Sequence, residues 1–385
     1  MSTMSHAAPR HAAAALLSWA LFLSALLSAS AAAAQAPAGP LPPKTGSQVQ
    51  QAPPKSGIRV NVALVNTPVV VDDAKGEMIL DLTPRDFHVY DNGVEQKIVD
   101  FDLGGEPVSA AIVVETSSRI EALLPAIRKT GILFTQTVLG ADGDATVIGY
   151  NDEVDRLQNF TADHDAIEKT VQDLKEGTSG AKLYDALSLA VGLLRDRPEA
   201  RRRVIIVLGE AVDTGSEQKL GEVLREAQLA NITIYSVGLS STGAAARGPE
   251  KNNVPPSANP PGTVGLPPVP GQPQSPTLEG GDIGNGDLLA LAEWAVQHAT
   301  ATVKDRPLEV ATVATGGLYQ STVRDNSIET AIDRIGGELH AAYLLSYRPR
   351  GSEAGGYHRI KVTVDRAGLK VRSRPGYYLS SSPLG

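Results

Sequence analysis

The sequence predicts an α/β protein in which a doubly wound, mostly parallel sheet is inserted into a small β-sandwich. Between residues 107 and 340, unbroken apolar β runs alternate with amphipathic helical patterns, which is typical of a parallel sheet covered on both faces. Before and after this region, apolar and polar residues alternate with a period of two, which indicates half-buried strands. Two short sets of such strands cannot bury a face alone, so we expect the two ends of the chain to pair.

The composition limits the classes of protein that this chain can belong to. Its 385 residues are 42% hydrophobic and 20% charged, which excludes a wholly disordered chain and a polytopic membrane protein. The formal net charge of −8 argues against a nucleic-acid partner, since binding a phosphate backbone needs a clustered basic face. Cysteine is absent and the seven histidines show no metal-ligand spacing, so disulfides, a thiol nucleophile and a Cys- or His-ligated metal are not expected.

The N-terminal residues 1–34 are predicted to be a secretory signal peptide. Arg10 precedes the apolar run Ala12–Ser28, and small residues continue to Ala34. The alternative is an uncleaved anchor, because the run approaches the roughly 20 residues that span a bilayer. We expect cleavage and therefore no membrane insertion of the mature protein. Export of a cysteine-free chain fits a bacterial periplasm or the extracellular space, and the Pro-rich residues 35–57 are predicted to be a linker.

The two flanking segments supply the predicted sandwich. In the N-terminal β segment, residues 58–105, the alternation of Val60, Val62 and Leu64 predicts one buried face, and Asn92-Gly93 predicts a hairpin turn. The C-terminal β segment, residues 342–380, is expected to complete the sandwich with strands at Tyr343–Tyr347, Arg359–Asp365 and Leu369–Arg374.

The middle segment, residues 107–340, supplies the predicted parallel sheet. Its apolar β runs are Ala110–Val114, Ala145–Tyr150, Val204–Leu208 and Ile232–Val237. Helical apolar faces lie between them, and later helices are predicted at Asp287–Val313 and Asn326–Leu339. The Pro- and Gly-rich residues 240–285 are expected to form a disordered surface insertion. Arg201–Arg203 is expected to close a helix, where cations are favourable.

Three turns at the carboxyl ends of these runs carry a resemblance. They are the segments 115–119 (Glu-Thr-Ser-Ser-Arg), 180–185 (Gly-Ala-Lys-Leu-Tyr-Asp) and 209–213 (Gly-Glu-Ala-Val-Asp). In this order, and with Ile232–Gly238, they resemble the von Willebrand factor type A (VWFA) domain. The flanks resemble those of exported bacterial VWFA-related proteins at Val69–Asp73, Asp86–Gly93 and Tyr343–Tyr347.

The resemblance implies a position for a metal-ion-dependent adhesion site. In that family an Asp-x-Ser-x-Ser turn, a Thr and a further Asp hold Mg²⁺, whose open position accepts a partner's carboxylate. The matching positions here are Glu115, Ser117, Arg119, Ala181 and Glu210. Only Ser117 retains the family's residue: the glutamates are one methylene longer, Ala181 lacks a hydroxyl, and Arg119 brings a permanent positive charge.

The substitutions favour a degenerate adhesion site without a metal or other cofactor. Our hypothesis is that Arg119 replaces the ion and pairs with Glu115 and Glu210. One alternative is that Mg²⁺ or Ca²⁺ is still held by Glu115, Ser117 and Glu210. The other is that Arg119 points to solvent and the crevice is vestigial.

The sequence therefore predicts an exported, non-enzymatic protein-interaction module whose partner is another protein. A first alternative is a metal-dependent adhesion protein that uses Glu115, Ser117 and Glu210. A second is a hydrolase that uses Glu115, Glu210 or Asp213 in the crevice, although no G-x-S-x-G motif or phosphate-binding Gly-rich turn follows the first strand. We expect no catalytic residues.

Overall fold

The computed structural model describes residues 64–240, 263–265, 276–278, 285–300, 303, 306–322, 328–350 and 355–379. The predicted signal peptide, the linker, Val60 and Val62 lie outside these described residues. Within the described ranges, no helix combines the length and the apolar character that crossing a membrane requires.

The described chain contains sixteen strands and eight α-helices in mixed order. The strands are β1 (Val65–Asp72), β2 (Phe87–Asp91), β3 (Val94–Gln96), β4 (Ile98–Leu103), β5 (Val108–Glu115), β6 (Asp144–Tyr150), β7 (Val154–Thr161), β8 (Arg202–Gly209), β9 (Ile232–Gly238), β10 (Thr263–Gly265), β11 (Pro276–Leu278), β12 (Tyr319–Ser321), β13 (Tyr343–Tyr347), β14 (Gly356–Val364), β15 (Lys370–Ser373) and β16 (Gly376–Leu379). The helices are α1 (Leu124–Arg128), α2 (Gly131–Leu133), α3 (His164–Gln172), α4 (Leu183–Arg195), α5 (Leu220–Leu229), α6 (Asn285–Gln297), α7 (Pro307–Thr315) and α8 (Ile328–Ala341). Shorter 3₁₀ and π turns complete them at Pro84–Asp86, Ser118–Leu123 and Phe134–Leu139.

The middle segment forms a six-stranded sheet with the order β12-β9-β8-β5-β6-β7. Its strands are parallel except β7, which runs antiparallel to β6 at one edge. Every residue of β5 and β8 is buried, because helices cover both faces. The core on one face includes side chains of α4, α5, α6 and α7, and the core on the other includes side chains of α1, α3 and α8. The predicted doubly wound sheet is confirmed.

The flanking segments form two four-stranded antiparallel sheets, ordered β15-β1-β13-β4 and β16-β14-β2-β3. Each sheet contains strands from both ends of the chain, and their shared core includes Val69, Val89, Leu345 and Ile360. The predicted pairing of the two ends is therefore confirmed. The predicted Asn92-Gly93 turn is present between β2 and β3, with positive φ at both residues, as a type I′ hairpin requires.

Three local predictions were wrong. Leu64 is 39% exposed, because β1 begins at Val65 with the opposite parity, and a shift of one residue exchanges the two faces of a strand. The single helix predicted over Asp287–Val313 is two helices, since Pro307 begins α7 and lacks the N–H that a continuous helix would need. Arg202 and Arg203 do not close a helix; they are the first residues of β8, and both are buried.

The insertion at residues 240–285 also differs from the prediction. Two short antiparallel strands within it, β10 and β11, pair Thr263 with Leu278. Apart from these strands, Ser240 and Asn285, the insertion lies outside the described residues.

Candidate functional site

The candidate site lies at the carboxyl edge of the central sheet, between the neighbouring strands β5 and β8. Glu115 is the last residue of β5, and Glu210 directly follows β8. The chain leaves β5 toward one face of the sheet and β8 toward the other. Such a reversal of winding opens a crevice between the two loops.

Glu115 is held at the bottom of this crevice with no exposed surface. Its Oε1 accepts a hydrogen bond from the Ser117 hydroxyl at 2.5 Å, and its Oε2 accepts one from the Glu210 backbone N–H at 2.6 Å. Gly209 permits this approach, because a Cβ there would lie 3.0 Å from Glu115 Oε2 and 2.0 Å from the Tyr150 hydroxyl oxygen. The carboxylate thus links the two loops.

Arg119 places its guanidinium between the two glutamates. Its Nη2 lies 3.5 Å from Glu115 Oε1, and its Nε lies 3.7 Å from Glu210 Oε2. Arg119 is one residue inside the 3₁₀ turn that follows the strand, and its side chain is 18% exposed. One permanent cation therefore faces two carboxylates across the crevice, at ion-pair rather than hydrogen-bond distance.

The electrostatics of the site are dominated by burial. Burial raises the pKa of Glu115, although the Ser117 hydroxyl, the Glu210 N–H and the Arg119 charge all oppose that shift. Burial, and then the negative charge of Glu115, raises the pKa of the Tyr150 hydroxyl well above its ordinary value. Among the described residues, neither that hydroxyl nor Nε and Nη2 of Arg119 has a hydrogen-bond partner.

Ala181 contributes only its backbone. Its N–H donates to the Thr214 hydroxyl at 2.8 Å, and its carbonyl accepts from the Thr214 N–H at 2.7 Å. These bonds join the loop before α4 to the loop after β8. The side chain is a buried methyl group with no oxygen to offer a ligand.

The hydrogen bonds of Asp213 indicate a structural role. Its carboxylate accepts hydrogen bonds from the Tyr184 N–H at 3.0 Å and the Ser216 hydroxyl at 2.6 Å, at the beginning of α4. An acidic group there accepts from an N–H of the first turn and complements the helix dipole. Burial raises the pKa of Asp213, with the bond from Ser216 opposing it.

The structure thus brings Glu115, Ser117, Arg119 and Glu210 together, with Ala181 in the adjoining loop. Tyr150, Thr214 and Ser216 were not predicted to be parts of the site. Tyr150 ends β6 at the same edge as Glu115, so the rule that site residues follow strand ends would have found it. Thr214 and Ser216 carry no such signal.

Oxygen ligands for a metal could come from Glu115, Ser117 and Glu210. Glu115 already accepts two hydrogen bonds, and the Ser117 hydroxyl donates one of them. In the part of the chain that the structure describes, no group of three or more His, Cys, Asp or Glu side chains is arranged to hold an ion.

Comparison with known proteins agrees with the fold. Residues 111–253 match the sequence model of the von Willebrand factor type A domain, which confirms the resemblance. No curated protein matches the sequence.

Solved structures were matched at low identity. The conserved hypothetical protein BatB from Bacteroides thetaiotaomicron is 15% identical, with a TM-score of 0.36 over 60% of this chain and 98% of that one. An aerotolerance-related membrane protein from Bacteroides fragilis is 13% identical, with a TM-score of 0.35 over 60% and 99%. Proximal thread matrix protein 1 from the mussel byssus, with a zinc-occupied MIDAS motif, is 11% identical, with a TM-score of 0.40 over 66% and 50%.

Proposed function

We propose, from the von Willebrand factor type A domain that this chain carries, that the protein is an exported module that binds another protein without a divalent metal ion and catalyses no reaction. The observation that carries this proposal is the Arg119 guanidinium between Glu115 and Glu210. Where the adhesion site of this domain type would hold a cation, this chain supplies one of its own.

The residues present do not suit Mg²⁺ or Ca²⁺. Both ions need six or more oxygen ligands, and Mg²⁺ requires them at about 2.0–2.1 Å in octahedral geometry. Ala181 offers no side-chain oxygen, and both oxygens of Glu115 are engaged by hydrogen bonds within the protein. An ion would also have to approach the guanidinium of Arg119, which cannot be deprotonated in a protein.

The surface around the crevice supports a protein partner. Ser118, Thr178 and Thr214 are exposed at its rim, and Val212 exposes 36% of its surface beside them. The rim is held by bonds between loops, such as the Ser118 N–H to the Thr178 carbonyl at 3.0 Å. A pre-ordered rim of hydroxyl and apolar groups loses little entropy on binding.

A hydrolase is the weaker proposal. Glu115 has no exposed surface, and the Asp213 carboxylate accepts a hydrogen bond from the beginning of α4. A general acid or base must come within about 2.6–3.2 Å of a substrate proton. The burial of Glu115 keeps it beyond that reach.

Export is proposed from the N-terminal sequence. A basic residue, an apolar run and small residues follow one another over residues 1–34. Mass determination of the mature N-terminus after expression in a bacterium with its own signal peptidase would test it. An intact N-terminus would overturn cleavage and favour the anchored alternative.

The metal-independence is tested by thermal melting with excess Mg²⁺, with excess Ca²⁺ and with chelator. We expect the same melting temperature in all three for the wild-type chain. We expect the melting temperature of Arg119→Ser to rise with Mg²⁺, because this substitution removes the guanidinium and supplies the serine hydroxyl that the family has at this position. A ligand at a hundred times its Kd stabilises the native state by about 2.7 kcal/mol, enough for a measurable shift.

The control for this experiment is Arg156→Ser, an exposed arginine on β7 away from the crevice, which should melt alike in every buffer. A rise in the melting temperature of the wild-type chain with Mg²⁺ or Ca²⁺ that Glu210→Ala abolishes would contradict the proposal and establish a metal-dependent adhesion site.

The interaction itself is tested with a photo-crosslinking residue at Val212. We expect this position to capture a discrete protein in the presence of chelator, and Met78, 39% exposed on the sandwich, not to capture it. Capture that disappears with chelator would refute metal-independent binding.

A further inference from the structure

A second concave site lies at the opposite, amino edge of the central sheet. It is a cavity of about 620 Å³ between the beginnings of β8 and β9 and the sandwich strands β1 and β13. Five arginines line it against two glutamates, Glu106 and Glu199, an excess of three positive charges. The arginines are Arg201, Arg202, Arg203, Arg348 and Arg374.

Three of these arginines are buried with donors left over. Arg202, Arg203 and Arg374 are 9%, 8% and 4% exposed. Arg202 donates to the Leu339 carbonyl at 2.6 Å, and Arg374 donates to Asn231 Oδ1 at 3.2 Å. Arg203 donates through Nη1 to the Ala230 carbonyl at 3.0 Å and through Nη2 to the Arg197 carbonyl.

The remaining buried donors of these arginines lack an acceptor. Among the described residues, Nε and Nη2 of Arg202, Nε of Arg203 and Nε of Arg374 have no hydrogen-bond partner. A buried cation with unpaired donors is unfavourable unless an anion or acceptor compensates it. Burial lowers the pKa of both Arg203 and Arg374, which reflects the same loss of hydration.

We infer that this cavity binds a small molecule that carries two or more closely spaced phosphate or carboxylate groups. The planar guanidinium fork matches both anions and can contact them with two hydrogen bonds at once. A cavity of this size falls within the range of about 300–1,000 Å³ that small-molecule sites occupy. The bound anion would contact the central sheet through Arg203 and the sandwich through Arg374. Arg202 leaves the other face of β8, toward Leu339, and adds positive charge to the lining.

The acidic lining residues set the required charge of the ligand. Burial raises the pKa of Glu106, while the charge of Arg202 opposes that shift. Burial lowers the pKa of Arg203, and the negative charge of Glu199 opposes that shift. These two carboxylates offset part of the positive charge, and the excess of three charges favours a multivalent anion over acetate.

The experiment is calorimetric titration of the purified chain, in low-salt buffer, with pyrophosphate, with citrate and with acetate. We expect saturable one-to-one binding of pyrophosphate or citrate and at least about tenfold weaker binding of acetate. The stronger of the two multivalent anions assigns the ligand to the phosphates or to the carboxylates.

Two variants and a control locate the binding. Arg203→Gln removes a buried donor, and Arg348→Glu reverses the charge of an exposed residue of the lining. Each should weaken binding about tenfold or more, the usual effect of losing one charged hydrogen bond. Arg156→Glu makes the same charge change on β7, outside the cavity lining, and should leave the affinity unchanged.

The Arg348→Glu variant keeps the test decisive if Arg203→Gln fails to fold, since Arg348 is exposed. An absence of saturable binding by either multivalent anion would overturn the inference. So would an equal loss of affinity in Arg156→Glu, because that result would mean general attraction to a charged surface.

Discussion

At the scale of single residues, the crevice is defined by one cation, two carboxylates and a glycine. Arg119 faces Glu115 and Glu210, while Gly209 lets the Tyr150 hydroxyl and the Glu115 carboxylate come close to the backbone. The sequence indicated the three charged residues, because they match the positions of the family's metal ligands in the turns after two strands. It carried no sign that Gly209 is indispensable, since the crowding comes from side chains 59 and 94 positions away on other strands.

Substitution of Gly209 tests this crowding. We expect Gly209→Ala to lower the free energy of unfolding by about 1–3 kcal/mol, since its Cβ would overlap the buried Tyr150 hydroxyl. The matched control is Gly192→Ala within α4, where a Cβ would meet no atom within 4 Å and should stabilise the helix by about 0.5–1 kcal/mol. Urea denaturation of both variants measures the difference. Equal effects of the two substitutions would contradict the crowding at Gly209.

At the scale of elements, the sandwich is joined by polar side chains as well as by its core. The Tyr347 and Tyr377 hydroxyls donate to Asp91 Oδ2 at 3.2 and 2.6 Å, and His358 Nδ1 lies 3.0 Å from Asp91 Oδ1. These residues come from strands of both sheets, so the buried carboxylate connects them. The hairpin at Asn92 was predictable from its dipeptide, whereas the partners of Asp91 were not, because they lie more than 250 residues along the chain.

A second polar link predicts a pH dependence. His88 on β2 has Nδ1 2.7 Å from Glu95 Oε1 on β3 and Nε2 3.0 Å from Asp365 Oδ1 after β14. The bond with Glu95, followed by the effects of Asp365, raises the pKa of His88 above its ordinary 6.5. A raised pKa in the folded state means that protonated His88 stabilises the fold fully below about pH 6.5, and that this contribution disappears as the pH rises through the raised pKa.

The measurement compares melting temperatures of the wild-type chain and His88→Gln. We expect the wild-type advantage to be present at about pH 5.5 and absent at about pH 9. The effect should be small, since the histidine and both acids are partly exposed. Glu95→Gln should reduce the same pH dependence. A wild-type advantage that grows with pH would contradict the assigned direction.

At the scale of the whole molecule, the central sheet is built from one continuous segment of the chain, whereas the sandwich needs segments from both ends. The two cores around the central sheet consist of buried residues between Val108 and Leu339. The sandwich core draws on Val65–Val89 and on Tyr343–Tyr377, which the whole middle segment separates. The middle segment therefore contains its own cores, while neither flank contains one.

Fragments test this division. We expect residues 106–341 to unfold cooperatively by circular dichroism on their own. Residues 64–105 should remain unfolded alone, because their strands lack β13, β14 and β15 as neighbours. Addition of a peptide covering residues 342–379 should restore strand signal to that flank. A cooperative melt of residues 64–105 alone would refute the shared core.

The elements of this protein and their layers follow from its sequence, because hydrophobic periodicity and turn chemistry act over short distances. The apolar run Ala110–Val114 of β5 and the Asn92-Gly93 hairpin are examples. The parity of β1 was missed because it depends on the register with β13. The break before α7 was missed although Pro307 marks it in the sequence.

Which side chains come into contact could be determined only from the folded structure. Arg119 meets Glu210 because the parallel sheet brings the carboxyl ends of β5 and β8 together. Arg203 and Arg374 line one cavity because the sandwich packs beside the amino edge of that sheet. The short sequence patterns place each of these residues on its own element. Which residues meet depends on how those elements pack, and both the crevice and the cationic cavity arise from that packing.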